Sequence, residues 1–303
     1  MKNIVNSRYI NPLSDWAFKR FFGTETNKDL LIDFLNELII REDKIIDLTY
    51  RPTEQLGAEE HNRKAIFDIY CKTDKGGYII VEMQKAKQAN FKDRGIYYST
   101  FAIQEQAVQG SWNYELHEVY TIAILDFILF NETEEDKARY CEEVKLMRLS
   151  TKTVFYDKLS YIYLELPKFV KSLDELETKF DCWMYLLKRL STLHDRPKEI
   201  QGRIFDKLFR MAEINKLTPQ EMKDYNKSIL EYSDVRDAAD CAREEGREEG
   251  FKDGEEKGVK KGLERGRKER DIEIAKILLS ENKPIDTIIK YTGLTAEEIE
   301  ALR

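Results

Sequence analysis

Two carboxylates, Asp68 and Glu82, are the side chains of this sequence with the clearest capacity for chemistry. Both interrupt apolar runs in AIFDIYCKTDKGGYIIVEMQ, residues 65–84, where the polar segment TDKGG reads as a short hairpin loop. If the turn centres near Lys75, the two carboxylates are cross-strand neighbours about 5 Å apart. Like charges this close repel unless a proton or a cation lies between them, and carboxylate oxygens suit Mg²⁺ or Mn²⁺. The spacing therefore predicts a divalent-metal site.

Side-chain alternation predicts which residues share a face of this hairpin. One face carries Ile66, Asp68, Tyr70, Ile80, Glu82 and Gln84. The other face carries Phe67, Ile69, Cys71, Ile79, Val81 and Met83. The two carboxylates are thus expected on one face, at positions where a core-facing strand would favour aliphatic side chains.

The spacing of Asp68, thirteen residues and then Glu-x-Gln resembles the PD-(D/E)XK nuclease superfamily. It is closest to the Rpn branch of recombination-promoting nucleases, also called putative transposases. Further similar stretches are NPLSDWAFKRFFG at 11–23, NKDLLIDFLNELI at 27–39, the region around Arg94 and Tyr97–Tyr98, and the glycine-spaced tail. The sequence departs from the superfamily pattern at Phe67, where Pro is usual, and at Gln84, where Lys is usual. Gln84 is the form that the Rpn branch carries.

This resemblance implies an α/β fold with a PD-(D/E)XK restriction-endonuclease-like core and a helical C-terminal region. The implied activity is a Mg²⁺-dependent DNA endonuclease, associated with recombination or transposition, with Mn²⁺ as an alternative metal. Asp68, Glu82 and a backbone carbonyl near Met83 would hold the metal. Gln84 would orient the attacking water but cannot take its proton, because a neutral amide is not a base at pH 7. The sequence does not decide which group takes the proton of this water: the candidates are Lys19, a phosphate oxygen and a hydroxide bound to the metal.

Other candidate site residues flank the hairpin. Asp15 and Lys19 are four apart and share a helical face, and the resembled family keeps an acidic residue and a lysine here; the alternative is a surface ion pair. Arg94, Lys85 and Lys87 are candidate nucleic-acid contacts. Residues 59–94 include eight basic and six acidic side chains, in a chain of net charge −7. The basic residues are Arg63, Lys64, Lys72, Lys75, Lys85, Lys87, Lys92 and Arg94. Such a patch suits phosphate contact, although ordinary solvated strand ends would look the same.

Composition excludes several classes of protein. With 42% hydrophobic and 35% charged residues, the chain has enough apolar side chains for a core and a densely ionic surface. The longest apolar run, Tyr120–Phe130, is too short for a membrane span and carries Asp126, and the N-terminal stretch lacks the apolar core of a signal peptide. We therefore expect a cytoplasmic protein. The absence of any Cys-x-x-Cys or histidine ligand spacing argues against zinc and a disulfide framework.

The pattern of elements predicts four segments: a nuclease core over 1–150, a mainly helical lobe over 151–235, a glycine-spaced charged linker over 236–270 and a small helical unit over 271–303. Helices are expected over Ser14–Phe22, after an Asn27 cap, and over about Phe91–Gln109. Strands are expected at Lys44–Tyr50, Ala65–Lys72, Gly77–Gln84 and Glu118–Phe127. From residue 140 onward we expect strands to give way to helices, with one more strand possible at Thr153–Leu164. Capping boxes predict helix starts at Ser172, Thr218 and Thr295.

The tail carries glycines every four residues, at Gly246, Gly250, Gly254, Gly258, Gly262 and Gly266. Each costs a helix about 1 kcal/mol relative to alanine, so a lone helix should be marginal. Residues 243–256 carry three basic and seven acidic side chains, and residues 257–270 seven basic and two acidic. Close backbone packing and this charge pattern suit an antiparallel second copy, which predicts a homodimer; a flexible helical linker is the alternative. The acidic final segment, LTAEEIEALR, favours protein contact over DNA contact.

Two further functions remain open from the sequence. The chain could keep the nuclease fold without turnover, as a DNA-binding or regulatory module. It could also join DNA strands as a full transposase, which only the family's alternative name implies.

Overall fold

The computed structural model describes residues 7–41, 43–55, 65–107 and 110–302. Arg63 and Lys64 of the predicted basic patch lie outside these residues. The chain divides into two compact units, residues 1–239 and residues 240–303. The four-segment division stays a prediction.

The helices and strands are numbered in chain order. The helices are α1 (Asp15–Phe22), α2 (Lys28–Leu38), α3 (Phe91–Gln104), α4 (Glu134–Ala138), α5 (Lys179–Arg189), α6 (Arg203–Ala212), α7 (Pro219–Ser280), α8 (Ile285–Thr292) and α9 (Ala296–Glu300). The strands are β1 (Leu48–Tyr50), β2 (Glu54–Gln55), β3 (Ala65–Ile66), β4 (Ile69–Thr73), β5 (Tyr78–Gln84), β6 (Val119–Leu125), β7 (Cys141–Arg148) and β8 (Thr153–Glu165).

A mixed sheet organises the first unit. Within the described residues it has six strands in the order β1-β4-β5-β6-β8-β7, and β2 pairs separately with β3. The β4–β5 hairpin is antiparallel, whereas β5, β6 and β8 run parallel to one another. Parallel strands require helical crossovers, and α3 supplies the one between β5 and β6. The predicted α/β class is confirmed.

One face of the sheet is covered by α1, α2, α5 and α6. Ser14 caps α1 by accepting a hydrogen bond from the Ala17 N–H, and the buried stripe of α1 includes Phe18 and Phe22. Trp183 of α5 is fully buried against Phe22. Asn27 occupies the N-cap position of α2, as expected, but its side chain makes no capping hydrogen bond, because its amide instead donates to the carbonyl oxygen of Arg20 at 2.9 Å.

The other face is covered by α3. Its core consists of Phe67, Tyr70, Tyr78, Ile80, Ala102 and Val119. Phe67 therefore lies on the opposite face from the one that alternation predicted. The physical reason is a break between β3, which ends at Ile66, and β4, which begins at Ile69. The backbone at residues 67–68 leaves the strand there, so the period of two is interrupted.

The far edge of the sheet corrects the expectation that strands give way to helices after residue 140. β7 pairs with β8 as a hairpin at this edge, with irregular register around Leu146. A buried ion pair connects the end of β8 with the segment around residues 130–136. Lys168 Nζ donates to Glu165 Oε2 and to the carbonyl oxygens of Phe130 and Asp136, each at 2.6 Å. Since every partner is satisfied, this pair has a structural role.

The second unit consists of the C-terminal part of α7 with α8 and α9. Ala275, Ile288, Leu294 and Ile299 form its small core. The capping boxes expected at Ser172, Thr218 and Thr295 are confirmed by reciprocal hydrogen bonds with Glu175, Glu221 and Glu298. In the described part of the chain, no helix combines the length and the apolar character needed to cross a membrane.

Candidate active site

The β4–β5 hairpin brings the two predicted carboxylates together. Its register pairs Ile69 with Val81, and Asp68 and Glu82 lie next to this pair on the two chain segments. The Asp68 N–H donates to Glu82 Oε1 at 3.3 Å, and Asp68 Oδ2 accepts a 2.7 Å hydrogen bond from the Met83 N–H. The geometry follows from the sequence, because the hairpin loop fixes which residues face each other.

Burial makes this pair of carboxylates costly to ionise. Glu82 is only 6% exposed. Burial first, and repulsion from Asp68 second, raise the pKa of Glu82 to about 8. Burial also raises the pKa of Asp68, with Asp15 adding repulsion, while the Met83 N–H, Lys19 and Arg94 oppose the rise. Near neutral pH the two carboxyl groups are therefore poised between holding a proton and holding a cation.

Two further residues of β5, Met83 and Gln84, lie beside the carboxylate pair. The N–H and C=O of one residue in an extended strand point toward the same neighbouring strand, so the Met83 carbonyl faces β4, where Asp68 lies. The carbonyl of the next residue, Gln84, faces the other way and accepts from the Asp126 N–H at 2.9 Å. The side-chain amide of Gln84 donates to Glu82 Oε2 at 3.3 Å, which ties it to the carboxylate pair.

Arg94, on the first turn of α3, is the arginine whose charge acts on both carboxylates of the pair. Its positive charge favours ionisation of both Asp68 and Glu82 and so opposes the rise in their pKa values. Nη1 donates to Gln88 Oε1 at 2.7 Å, and the group lies over the rings of Phe91 and Tyr98. Nη2 is buried and makes no hydrogen bond to the described residues. A buried donor without a partner is costly, which fits a group that receives a ligand oxygen.

Asp15 and Lys19 line the same cleft as Asp68. They form an ion pair, with Nζ 2.9 Å and 3.1 Å from the two oxygens of Asp15, and both are about half-exposed. The cleft has a volume of about 740 Å³. Asp15 and Lys19 therefore form a surface ion pair and also line the cleft, so the structure agrees with both interpretations of their spacing. We call this cavity the catalytic cleft.

The candidate nucleic-acid contacts are less concentrated than the sequence suggested. Lys85 lies over the ring of Tyr232, with Nζ 5.7 Å from its centroid, and Lys87 is exposed. Lys75 pairs with Asp43 at 2.5 Å. Several basic residues of the patch therefore have partners within the chain.

The N-terminal part of α7 contributes a wall of the catalytic cleft that the sequence did not reveal. Glu221, Asp224, Lys227, Ser228 and Glu231 line it. The Ser228 hydroxyl accepts from the Trp16 N–H at 3.1 Å, and Arg20 forms an ion pair with Glu221. These contacts join residues about 200 positions apart. The helical spacing of the polar residues in α7 was visible, but nothing in it indicated α1 as the partner.

A mixed sheet with a buried carboxylate pair on a central hairpin, covered by helices on both faces, defines a protein of the PD-(D/E)XK nuclease class. The chain belongs to the family described as PD-(D/E)XK nuclease family transposase, whose model matches residues 12–242. No curated protein and no solved structure matches it significantly. The family confirms the resemblance and the fold, and it supports a nuclease or transposase-related role.

Nucleases of this class generally use divalent metals, and the donors present here fit one. The described residues contain no cluster of three or more His, Cys, Asp or Glu side chains that could hold a metal. The donors would instead be the buried carboxylate of Glu82, the partly buried carboxylate of Asp68 and the Met83 carbonyl, all hard oxygens. The raised pKa values of Asp68 and Glu82 show that the pair lacks compensating positive charge, which a divalent cation would provide.

Proposed function

We propose that the protein is a metal-dependent DNA endonuclease that hydrolyses phosphodiester bonds during recombination or transposition. The observation that carries this proposal is the buried, mutually repelling pair of Asp68 and Glu82 on a hairpin of the family's fold. Mg²⁺ is the expected metal, with Mn²⁺ as a substitute. DNA as the substrate agrees with the cytoplasmic location that the sequence predicts.

Each residue has a distinct part in the proposed reaction. Asp68, Glu82 and the Met83 carbonyl would hold the cation, which would supply a Lewis acid for the scissile phosphate and would lower the pKa of an attacking water. Gln84 orients that water from its position beside Glu82. The unpartnered Nη2 of Arg94 contacts a phosphate oxygen, and Lys19 is within the same cleft to accept or relay a proton.

Plasmid cleavage tests the proposal directly. Purified protein should nick or linearise a plasmid with Mg²⁺ or Mn²⁺ and leave it intact with EDTA. Asp68→Ala and Glu82→Ala should each abolish cleavage, whereas Glu115→Ala, at an exposed carboxylate, should cut normally. Undiminished cutting by both site variants would refute the assignment.

A module that binds DNA without cutting it is the second candidate. The observation that favours it is Gln84 at the position where the superfamily usually carries a lysine, because a neutral amide cannot take a proton from the attacking water. The same assay separates the two, because a binding module would shift DNA in a gel but leave it uncut with every metal.

We also propose that α7 pairs with α7 of a second chain through the glycine-spaced stretch. A methyl group built on any of the glycines Gly246 to Gly266 has no atom of the described residues within 4 Å apart from the backbone of its own helix, so the row is open to a partner. Phe251, Val259 and Leu263 are exposed on the same stretch, between 58% and 71%. The acidic and basic halves of this stretch would oppose each other in an antiparallel pair.

Truncation after Asp240 tests the pairing. Light scattering should give a dimer for the full chain and a monomer for the truncated one, and moderate salt should weaken the full-length dimer. If the full-length and the truncated protein contain the same number of chains per particle, the stretch is only a linker.

A further inference from the structure

The catalytic cleft is poorly suited to hold a polyanion without help. Five acidic side chains line its described part against three basic ones, and all three basic ones already pair with acids: Lys19 with Asp15, Arg20 with Glu221 and Lys227 with Glu231. A DNA backbone carries one negative charge per phosphate, and its binding depends on neutralising several of them. The charges that anchor DNA must therefore lie outside this cleft.

A second cleft, of about 650 Å³, has the opposite charge. Its described lining is Asp29, Asp33, Lys179, Gly202, Arg203, Ile204, Lys207 and Arg210. Four basic side chains thus face two acidic ones, in a chain of net charge −7. We call it the basic cleft.

Three of the four basic side chains of the basic cleft come from α6, and Lys179 comes from α5. Arg203, Lys207 and Arg210 recur at intervals of four and three, which places them on one face of the helix. The opposite face is anchored in the core by Phe205 and Phe209. This anchoring fixes the basic face at the surface, so the charges are held in place by the fold.

Two of the cations are oriented by acids in the cleft. Lys207 Nζ donates to Asp29 Oδ1 at 2.6 Å and to the carbonyl oxygen of Thr26 at 2.8 Å. Asp33 pairs with Lys179 and also accepts a 2.9 Å hydrogen bond from the indole of Trp183. Arg203 and Arg210 are exposed. They are the side chains best placed to reach an external anion.

The start of α6 adds backbone donors to the same cleft. Its N-cap is Gly202, at φ +113°, and no side chain caps the first N–H groups of the helix. Uncapped N–H groups and the positive end of the helix dipole favour a phosphate at this point. This contribution reinforces the arginines and would be insufficient alone.

The two clefts are neighbours along the chain. Gly23 and Thr24 line the catalytic cleft, and the carbonyl of Thr26 and the carboxylate of Asp29 face Lys207 in the basic cleft. The short 3₁₀ turn Glu25–Asn27 is thus the ridge between them. A strand of DNA crossing this ridge would place one stretch of phosphates on α6 and another at the carboxylate pair.

From this arrangement we infer that the basic cleft is an anchoring site for the phosphate backbone of duplex DNA. The inference rests on the proposed function and extends it, because it assigns the affinity for DNA to α6 and the chemistry to the hairpin. Recognition there is of the backbone and is independent of base sequence, since charge and backbone N–H groups read phosphates only.

The test measures binding of a fluorescent 30-base-pair duplex by anisotropy in EDTA, over a series of KCl concentrations. Replacing both Arg203→Gln and Arg210→Gln should weaken binding and lower the slope of log K against log salt by about 1.8, as expected for two lost phosphate contacts. The matched control is Arg148→Gln with Lys152→Gln, at the exposed tip of the β7–β8 hairpin, which removes the same charge. It should bind as the wild type does.

A second variant is expected to bind DNA more tightly, so that a loss of binding in the arginine variant cannot be explained by misfolding alone. Asp29→Asn keeps the side-chain shape and releases Lys207, so it should bind DNA more tightly than the wild type, by about two- to fivefold. Unchanged binding in the arginine double variant, or an equal loss in the control, would overturn the inference. So would an Asp29→Asn variant that binds no better.

The outcome is separable from that of the proposed function. If the wild type cuts DNA and Asp68→Ala does not, while the arginine variant binds normally, the nuclease assignment stands and the basic cleft fails. If no metal supports cutting but DNA binding depends on Arg203 and Arg210, the cleft stands and the nuclease assignment fails.

Discussion

The charge of Glu82 should destabilise the metal-free protein, and the effect can be calculated from its environment. Burial and the adjacent Asp68 raise the pKa of Glu82 from 4.5 to about 8. Between these two pH values the folded state binds more protons at this site than the unfolded state does, so the free energy of unfolding falls as pH rises, and it levels off above about pH 8. One pKa unit is worth about 1.4 kcal/mol, which sets the full loss at about 5 kcal/mol.

The substitution Glu82→Gln removes the charge and keeps the shape, including the acceptor for the Asp68 N–H. We expect the variant to resemble the wild type in stability near pH 4.5 and to exceed it by about 2–5 kcal/mol at pH 8.5. Urea denaturation in EDTA at several pH values measures this difference. Glu115→Gln, at an exposed site, is the control and should follow the wild type throughout.

Metal should reverse the order of stability. Adding Mg²⁺ at pH 8.5 should stabilise the wild type and leave Glu82→Gln nearly unchanged, because the cation replaces the proton only where the carboxylate is present. A difference between wild type and Glu82→Gln that does not grow with pH would refute the reasoning, since the carboxylate would then be compensated within the fold itself.

Three other outcomes test separate parts of the molecule. Gln84→Ala should slow DNA cleavage by about 100-fold or more, while Gln84→Lys should keep measurable activity; wild-type rates for Gln84→Ala would remove this residue from the mechanism. Gly254→Ala should stabilise the tail helix of a dilute, monomeric sample by about 1 kcal/mol in circular dichroism. It should also raise the dissociation constant of the dimer in ultracentrifugation, and an unaltered dimer would exclude close backbone packing. Lys168→Met should lower the free energy of unfolding in urea by about 3–5 kcal/mol, because the buried carboxylate of Glu165 loses its positive partner. Adding Glu165→Gln to this variant should restore part of the lost stability.

The register of the active-site hairpin could be predicted because it depends on local information. A polar loop with two glycines fixes the turn and the pairing of Ile69 with Val81, which leaves Asp68 and Glu82 next to that pair. The prediction failed one residue away, at Phe67, because alternation holds only within a continuous strand. The backbone break between β3 and β4 is a tertiary effect, and the apolar sequence around it carries no sign of it.

β7 was missed for a different reason. Its segment, CEEVKLMR, is exposed or half-buried along its whole length, so its apolar residues do not mark one buried face. Pairing with the longer β8 stabilises it, and that partner is not apparent from β7 itself. The wall that α7 adds to the catalytic cleft has the same origin, because contacts between distant segments leave no local pattern.

The carboxylate pair is the place where the local rules of folding are broken most clearly. A central hairpin with aliphatic residues at positions 68 and 82 would satisfy its core without a repelling pair, whereas burial raises the pKa values of Asp68 and Glu82 and makes them costly to ionise. The opposing contributions of the Met83 N–H, Lys19 and Arg94 are too small to cancel that cost for Asp68. Elsewhere the fold does compensate its buried charge, as Lys168 does for Glu165 with a full set of partners. Because the same chain satisfies one buried carboxylate completely and leaves the other pair short of positive charge, the deficit belongs to the site, where a divalent cation would remove it.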